Sequence, residues 1–209
     1  LVPFAVESKL SGVQHLLHPG QALWYRRGLD LKKKPGHRTL LNFEAVDYAM
    51  SAWVNGQEVG SHLGGNLPFS FDVTDALKEG AGELVVRVED GTGDFQLKGK
   101  QILNPHGIWY TPVSGIWQTV WAEVVPADHI ESLTVSTKID GTVKVKVNGS
   151  EKPAEVTLLL GGQEIAKASG KGAVELKVTD PKLWSPDSPT LYDLIVTAGN
   201  DRVESYVGI

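Results

Sequence analysis

Trp109-Tyr110-Thr111-Pro112-Val113-Ser114-Gly115-Ile116-Trp117-Gln118-Thr119-Val120-Trp121-Ala122-Glu123-Val124-Val125 holds three of the six tryptophans in the chain. It opens as a turn, marked by Pro112 and by Ser114-Gly115, and continues as an alternating run. Ile116, Gln118, Val120 and Ala122 fall on one face, and Trp117, Thr119, Trp121 and Glu123 on the other, as a strand with a side-chain period of two requires. The alternation predicts a single strand from Ile116 onward and makes this stretch the hinge between two β domains.

Upstream, Ala22 to Arg27 predicts a strand ending at Gly28, and Arg38 to Phe43 a second. Ala49 to Val54 runs into Asn55-Gly56, the favoured pair of a two-residue hairpin turn, with Gln57-Glu58-Val59 returning. After the glycine-punctuated loop His62-Leu63-Gly64-Gly65-Asn66-Leu67-Pro68, Phe69, Phe71 and Val73 alternate with polar residues. Thr74 to Leu77 fits one helical turn, and Glu83 to Asp90 alternates again. A long polar loop then runs from Gly91 to His106. Loops of that length are more often functional than idle, since their ordering entropy must be offset.

Past Pro126 the strands shorten. Val143, Val145 and Val147 oppose Lys144 and Lys146, which predicts an edge-like strand with its lysines in water. Asn148-Gly149 ends it, and the same turn reading accounts for the Asn148-Gly149-Ser150 glycosylation triplet. Val156, Leu158 and Leu160 lead through Gly161-Gly162 into another hairpin. Val174 to Val178, Leu191 to Thr197 and Arg202 to Val207 complete the set. No amphipathic helical pattern interrupts these strands. The expected fold is all-β, a jelly-roll-like β-sandwich over residues 1–126 followed by an immunoglobulin-like β-sandwich over 127–209.

A hydrophobic fraction of 41% supports a real core, and a formal net charge of −5 argues against nucleic acid or an anionic membrane as partner. The run Lys32-Lys33-Lys34, beside Pro35-Gly36, is a solvated turn. The absence of cysteine excludes disulfides, thiolate metal sites and a cysteine nucleophile, and is compatible with cytoplasm, periplasm or secretion. No apolar run approaches the ~20 residues of a membrane-spanning helix, and no signal peptide is evident. The sequence opens on Leu1 and not on Met, from which we expect it to begin part-way through a longer protein.

Exposed aromatic residues on loops are a platform for sugars, because the C–H face of a pyranose stacks on an indole while nearby amides bond its hydroxyls. Trp109 and Tyr110, at a loop end between Gly107 and Pro112, are the first candidates. Trp24, Trp53, Trp117 and Trp121 are expected to serve packing. The six histidines lack the spacing of a zinc site. Asp90, Asp94 and loop carbonyls offer calcium-type oxygens, against the plainer reading of a bare acidic loop. Acidic residues such as Glu83, Asp140, Glu151, Glu175 and Asp187 sit on polar faces or turns, where solvation keeps them ordinary. No catalytic elbow or phosphate-cradling loop is present.

Val46 to Gly60, the loop His62-Leu63-Gly64-Gly65, Pro68 to Thr74 and Ser114-Gly115-Ile116-Trp117-Gln118 together resemble the amino-terminal sugar-binding domain of glycoside hydrolase family 2. Leu183-Trp184-Ser185-Pro186, Pro189 to Leu194 and Ser205-Tyr206-Val207-Gly208 resemble the end of its immunoglobulin-like second domain. That family includes β-galactosidases, β-glucuronidases and β-mannosidases, and its two β domains precede a (β/α)8 barrel carrying both catalytic glutamates. The resemblance implies a β-glycoside as the carbohydrate partner, a carboxy-terminal barrel of the same protein as the structural partner, and no cofactor. A barrel takes about 250 residues, so its catalytic residues are expected outside this chain. Family members place a substrate-binding aspartate five residues before the Ser/Ala-Gly-Ile, where this chain has Trp109, and commonly a tyrosine after the Gly-Gly pair, where it has Asn66. The resemblance makes Trp109, Tyr110, His62 and Asn66 the substrate-binding set. A free-standing carbohydrate-binding module and a β-sandwich scaffold or adhesion protein are the alternatives.

Overall fold

The computed structural model describes residues 1–78, 82–93 and 95–209. Contacts divide it into two compact units, Leu1–Val124 and Val125–Ile209.

The first unit contains β1 (Leu23–Leu29), β2 (His37–Phe43), β3 (Val46–Asp47), β4 (Ala49–Val54), β5 (Gln57–Leu63), β6 (Phe69–Asp72), β7 (Gly82–Glu89), β8 (Gly115–Ile116) and most of β9 (Val120–Pro126). Two short 3-10 turns, Lys9–Ser11 and Thr74–Ala76, are the helical content of its described residues. One sheet runs β1-β7-β4-β5 and a second β6-β2-β9, with β3 and β8 as a separate pair. The β4–β5 turn is built as its sequence demands, with Asn55 and Gly56 both at positive φ, 53° and 81°. Leu41, Phe43, Met50, Ala52, Val54, Val86 and Val88 fill the space between the sheets. An apolar cleft of about 670 Å³ opens between β1 and β9, with Leu29, Phe43 and Val120 among its walls.

The stretch expected as one strand from Ile116 is two. Ile116 pairs with Val46 in β3–β8, whereas β9 lies beside β2, and the chain changes sheets across Trp117 to Thr119. Long-range pairing overrides the local alternation here. Trp24 and Trp121 are also not core residues, with exposures of 63% and 38%. Leu23 and Tyr25 of β1 point into the sandwich, so the intervening Trp24 projects outward. There it stacks on Trp53, ring centroids 6.0 Å apart and planes at 27°, with the Arg87 guanidinium 5.8 Å from its ring.

The second unit contains β10 (Ser132–Thr137), β11 (Thr142–Asn148), β12 (Ala154–Leu160), β13 (Gln163–Gly170), β14 (Ala173–Lys177), β15 (Tyr192–Ala198) and β16 (Asp201–Val207). Its sheets run β10-β11-β14 and β13-β12-β15-β16. Val143, Val145, Val156, Leu158, Leu194 and Val196 are fully enclosed between them. β11 is the central strand of its sheet and not an edge. Its lysines mark the solvated face, which a central strand of a one-sided sheet presents as readily as an edge does. β10 goes unmarked in the sequence because its Leu133 and Val135 are too few to stand out. Tyr192, 1% exposed, sits at the start of β15 and accepts a hydrogen bond from the Lys182 N–H at 2.7 Å, an arrangement like the tyrosine corner of immunoglobulin-type sandwiches.

Candidate sugar-binding loops

Two loops carry the candidate residues, and a buried polar node lies between them. The first loop leaves β5 at Leu63. Gly64 N–H donates to the Tyr48 carbonyl at 3.0 Å, and Gly65 is buried. Trp117 Nε1–H donates to the Gly65 carbonyl at 2.9 Å, so the indole ties the loop to the residues following β8. Beyond this anchor Asn66 and Leu67 are exposed. His62 lies opposite Met50 in the β4–β5 register and so shares its inward side. Its ring stacks on Phe69 at 3.9 Å, and its Nε2 is buried without a partner. His62 therefore shapes the loop from beneath, while Asn66 is presented to solvent.

The second loop carries Trp109 and Tyr110, 42% and 60% exposed. Their backbone is pinned: Trp109 N–H donates to His106 O, Tyr110 N–H to Lys100 O, and Ile102 N–H to Tyr110 O. Gln101 Oε1 accepts from Val113 N–H at 2.6 Å. Two aromatic rings are thus held outward on a braced turn. Among the described residues no hydrogen bond or ring contact joins His62 or Asn66 directly to Trp109 or Tyr110. Residues 113–117 touch both loops, through the Val113 N–H on Gln101 and the Trp117 indole N–H on Gly65.

The node beneath is made of Glu7, Asp47, Asp90 and Ser114, all at or near full burial except Glu7, which is half-buried. Ser114 Oγ–H donates to Asp90 Oδ2 at 2.6 Å and Ser114 N–H to Glu7 Oε2 at 3.0 Å. Asp90 Oδ1 accepts from Thr92 N–H and Gln96 Nε2–H. Asp47, paired with Gly115 across β3–β8, lies under Gly65. Its Oδ1 has no partner, nor has Glu7 Oε1. Burial, and then the like charges of Asp90 and Glu7, push the Asp47 carboxyl up to about 7. This residue escapes the expectation that the acids are ordinary. The only signal in the sequence is an acid directly after the apolar Val46.

A raised carboxyl pKa is also what a general acid needs. Asp47 and Asp90 are only 4% and 3% exposed, however, and present no open face to a glycosidic oxygen. Nor does the node suit a cation: no group of three or more His, Asp or Glu among the described residues has metal-binding geometry. Asp90 spends both oxygens on protein donors, and Asp94, the other calcium candidate, lies outside the described residues. What the arrangement does chemically is hold a loop and offer two π faces and an amide at the surface.

Comparison with known proteins places the chain in a family. Residues 17–126 match the model for the family 2 glycosyl hydrolase sugar-binding domain, and residues 119–209 match a second family 2 glycosyl hydrolase model. A putative β-glucuronidase of Formosa agariphila is 31% identical over 193 residues, covering 84% of this chain and 17% of that protein. A β-galactosidase of Thermoanaerobacter pseudethanolicus is 26% identical, covering 88% of this chain and 27% of that one. The chain therefore spans well under two thirds of the curated relatives it matches. Among solved structures, a Faecalibacterium prausnitzii β-glucuronidase superposes with a TM-score of 0.77 at 25% identity, over 99% of this chain and 40% of the other. A Dictyoglomus thermophilum β-D-glucuronidase superposes at 0.79 with 20% identity, a likeness of fold. With the sugar-binding model alone covering more than half of its residues, the chain belongs to glycoside hydrolase family 2.

Proposed function

We propose that this chain is the non-catalytic amino-terminal part of a family 2 β-glycosidase, an enzyme hydrolysing O-glycosidic bonds in carbohydrates. In this reading it buttresses a carboxy-terminal (β/α)8 barrel of the same protein and lends that barrel one wall of its substrate pocket. The observation that carries the reading is the consecutive match of two family 2 models over residues 17–209 of an all-β chain. A (β/α)8 barrel needs eight helices and about 250 residues, and the described residues contain no α-helix.

The sugar-facing residues we assign are Trp109 and Tyr110, which stack against a pyranose, and Asn66, whose amide bonds its hydroxyls, with His62 supporting the loop. Braced exposed rings lose little conformational entropy on binding, which supports this assignment. In the full-length enzyme, Trp109→Ala is expected to raise KM for an aryl β-glycoside by up to about tenfold, the worth of one aromatic contact. Unchanged KM and kcat would count against the assignment. The isolated chain is expected to leave chromogenic β-glucuronides and β-galactosides intact, and measurable turnover by it overturns the non-catalytic role. Useful affinity of the isolated chain on a glycan array would instead mark a free-standing carbohydrate-binding module.

A further inference from the structure

We propose that the carboxyl group of Asp47 is a proton-operated seat for the loop 64–66: protonated it holds Gly65 down, and ionised it lets the loop rise, so that Asn66 is presented in a pH-dependent way. The consequence for sugar rests on the pocket reading above; the seat itself does not.

The geometry begins with contact. A methyl group built on Gly65 would stand 2.4 Å from Asp47 Cγ and 2.5 and 2.6 Å from its two oxygens, so the loop backbone rests on the carboxyl with no atom between. Charge placed there meets little support. Oδ1 is buried and unpartnered, and the charged groups facing it, Glu7 from the amino-terminal segment and Asp90 at the end of β7, are themselves acids. Those two differ from Asp47 in having donors. Asp90 takes three hydrogen bonds and Glu7 one, whereas among the described residues no hydrogen bond offsets the burial of the Asp47 carboxyl. The loop side contributes Gly64, Gly65 and Asn66, and β8 contributes Gly115 and Ile116, none of them titratable. The titratable groups on the strand leading into the loop are Glu58, exposed at its far end, and His62, stacked on Phe69, and β1 brings Tyr25, whose hydroxyl accepts the Ile116 N–H. Near neutrality the Asp47 proton passes to water. The resulting buried anion must then be hydrated, and the lid it has to displace is Gly65. The bond at stake is Trp117 Nε1–H to Gly65 O, which gives the device an observable end.

The test is the indole N–H resonance of Trp117, assigned with Trp117→Phe and followed in the intact chain from about pH 5 to about pH 9. The expected result is a titration with a midpoint near neutrality and faster indole proton exchange on the alkaline side. It should vanish in Asp47→Asn and persist in His62→Gln. A flat wild-type profile, or one that survives Asp47→Asn, overturns the seat. Should Asp47→Asn fail to fold, the 13C carboxyl shift of Asp47 in the wild-type chain decides, and a midpoint near 4, the ordinary carboxylate value, overturns it. Failure of the sugar reading looks different. The indole titration would be intact, while the KM of the full-length enzyme for aryl β-glycosides would be the same in Asp47→Asn as in wild type at both ends of the range. That outcome overturns the link to the pocket.

Discussion

Gly65 has no room for a side chain because Asp47 occupies it: a Cβ there would overlap the carboxyl carbon at 2.4 Å. Both residues are buried, so neither swings freely away. Gly65→Ala is therefore expected to destabilise the first unit by about 1–3 kcal/mol, the usual cost of overpacking. The check is a shift of the denaturant midpoint, with accelerated exchange of the Trp117 indole proton as the local sign.

The Asp47 carboxyl titrates at about 7 in the folded chain against 3.8 for the free side chain. Between those values the folded state holds a proton the unfolded state has released, so stability falls as pH rises through this window. Its contribution is fully present below about 4 and gone above about 7. Asp140 is held at about 2, first by the hydrogen bonds from Thr142 and then by Lys177, and changes nothing in this window. The denaturant midpoint of the wild-type chain is expected to be lower at about pH 8 than at about pH 5, with a flatter profile in Asp47→Asn. A midpoint that rises across this window in wild type would contradict the assignment.

Gly115 stands at φ 87°, and a Cβ there would lie 2.0 Å from Tyr25 Oη, the atom that accepts the Ile116 N–H. Gly115→Ala thus strains the backbone and expels a hydrogen-bond partner, for an expected loss of about 3 kcal/mol. Tyr25→Phe alone should cost about 1 kcal/mol. The double variant should lose less than the sum, because phenylalanine removes the oxygen the methyl strikes. A double-mutant cycle by chemical denaturation measures this coupling.

In the second unit, Tyr192→Phe keeps the buried ring and deletes the hydroxyl that accepts from the Lys182 N–H and donates to the Lys182 carbonyl. The expected cost is about 1 kcal/mol, appearing as a lower midpoint for this unit with its β-sheet spectrum retained. Tyr192→Leu also opens a cavity beneath β15 and should cost about 2–4 kcal/mol.

Much of the fold is legible in short-range patterns. Asn55-Gly56 announces its turn because few other pairs tolerate two successive positive φ values, and Val143, Val145 and Val147 announce an inward face by period alone. The outward face of Trp24, a residue expected from the sequence to serve packing, emerges only once β1 is seated with Leu23 and Tyr25 inward. Legibility fails where distant segments decide. Nothing near Ile116 says that it pairs with Val46 while Val120 joins the sheet of β2, so one alternating run is divided between two sheets. The burial of Asp47 is likewise produced by Gly65, Gly115, Asp90 and Glu7, which converge from four parts of the chain. Among the candidate site residues, the exposure of Trp109, Tyr110 and Asn66 accords with glycine-bounded and proline-bounded loops. The inward turn of His62 follows from its register with Met50, which the loop-like appearance of residues 62–66 conceals.

The Trp24–Trp53 stack has an optical consequence. Two indoles 6.0 Å apart and inclined at 27° couple their electronic transitions, which adds an exciton couplet to the far-ultraviolet circular dichroism. A strand content fitted to that spectrum would absorb a signal that belongs to side chains. Subtracting the spectrum of Trp24→Phe isolates it, and turns the couplet into a private reporter of whether β1 and β4 still flank β7.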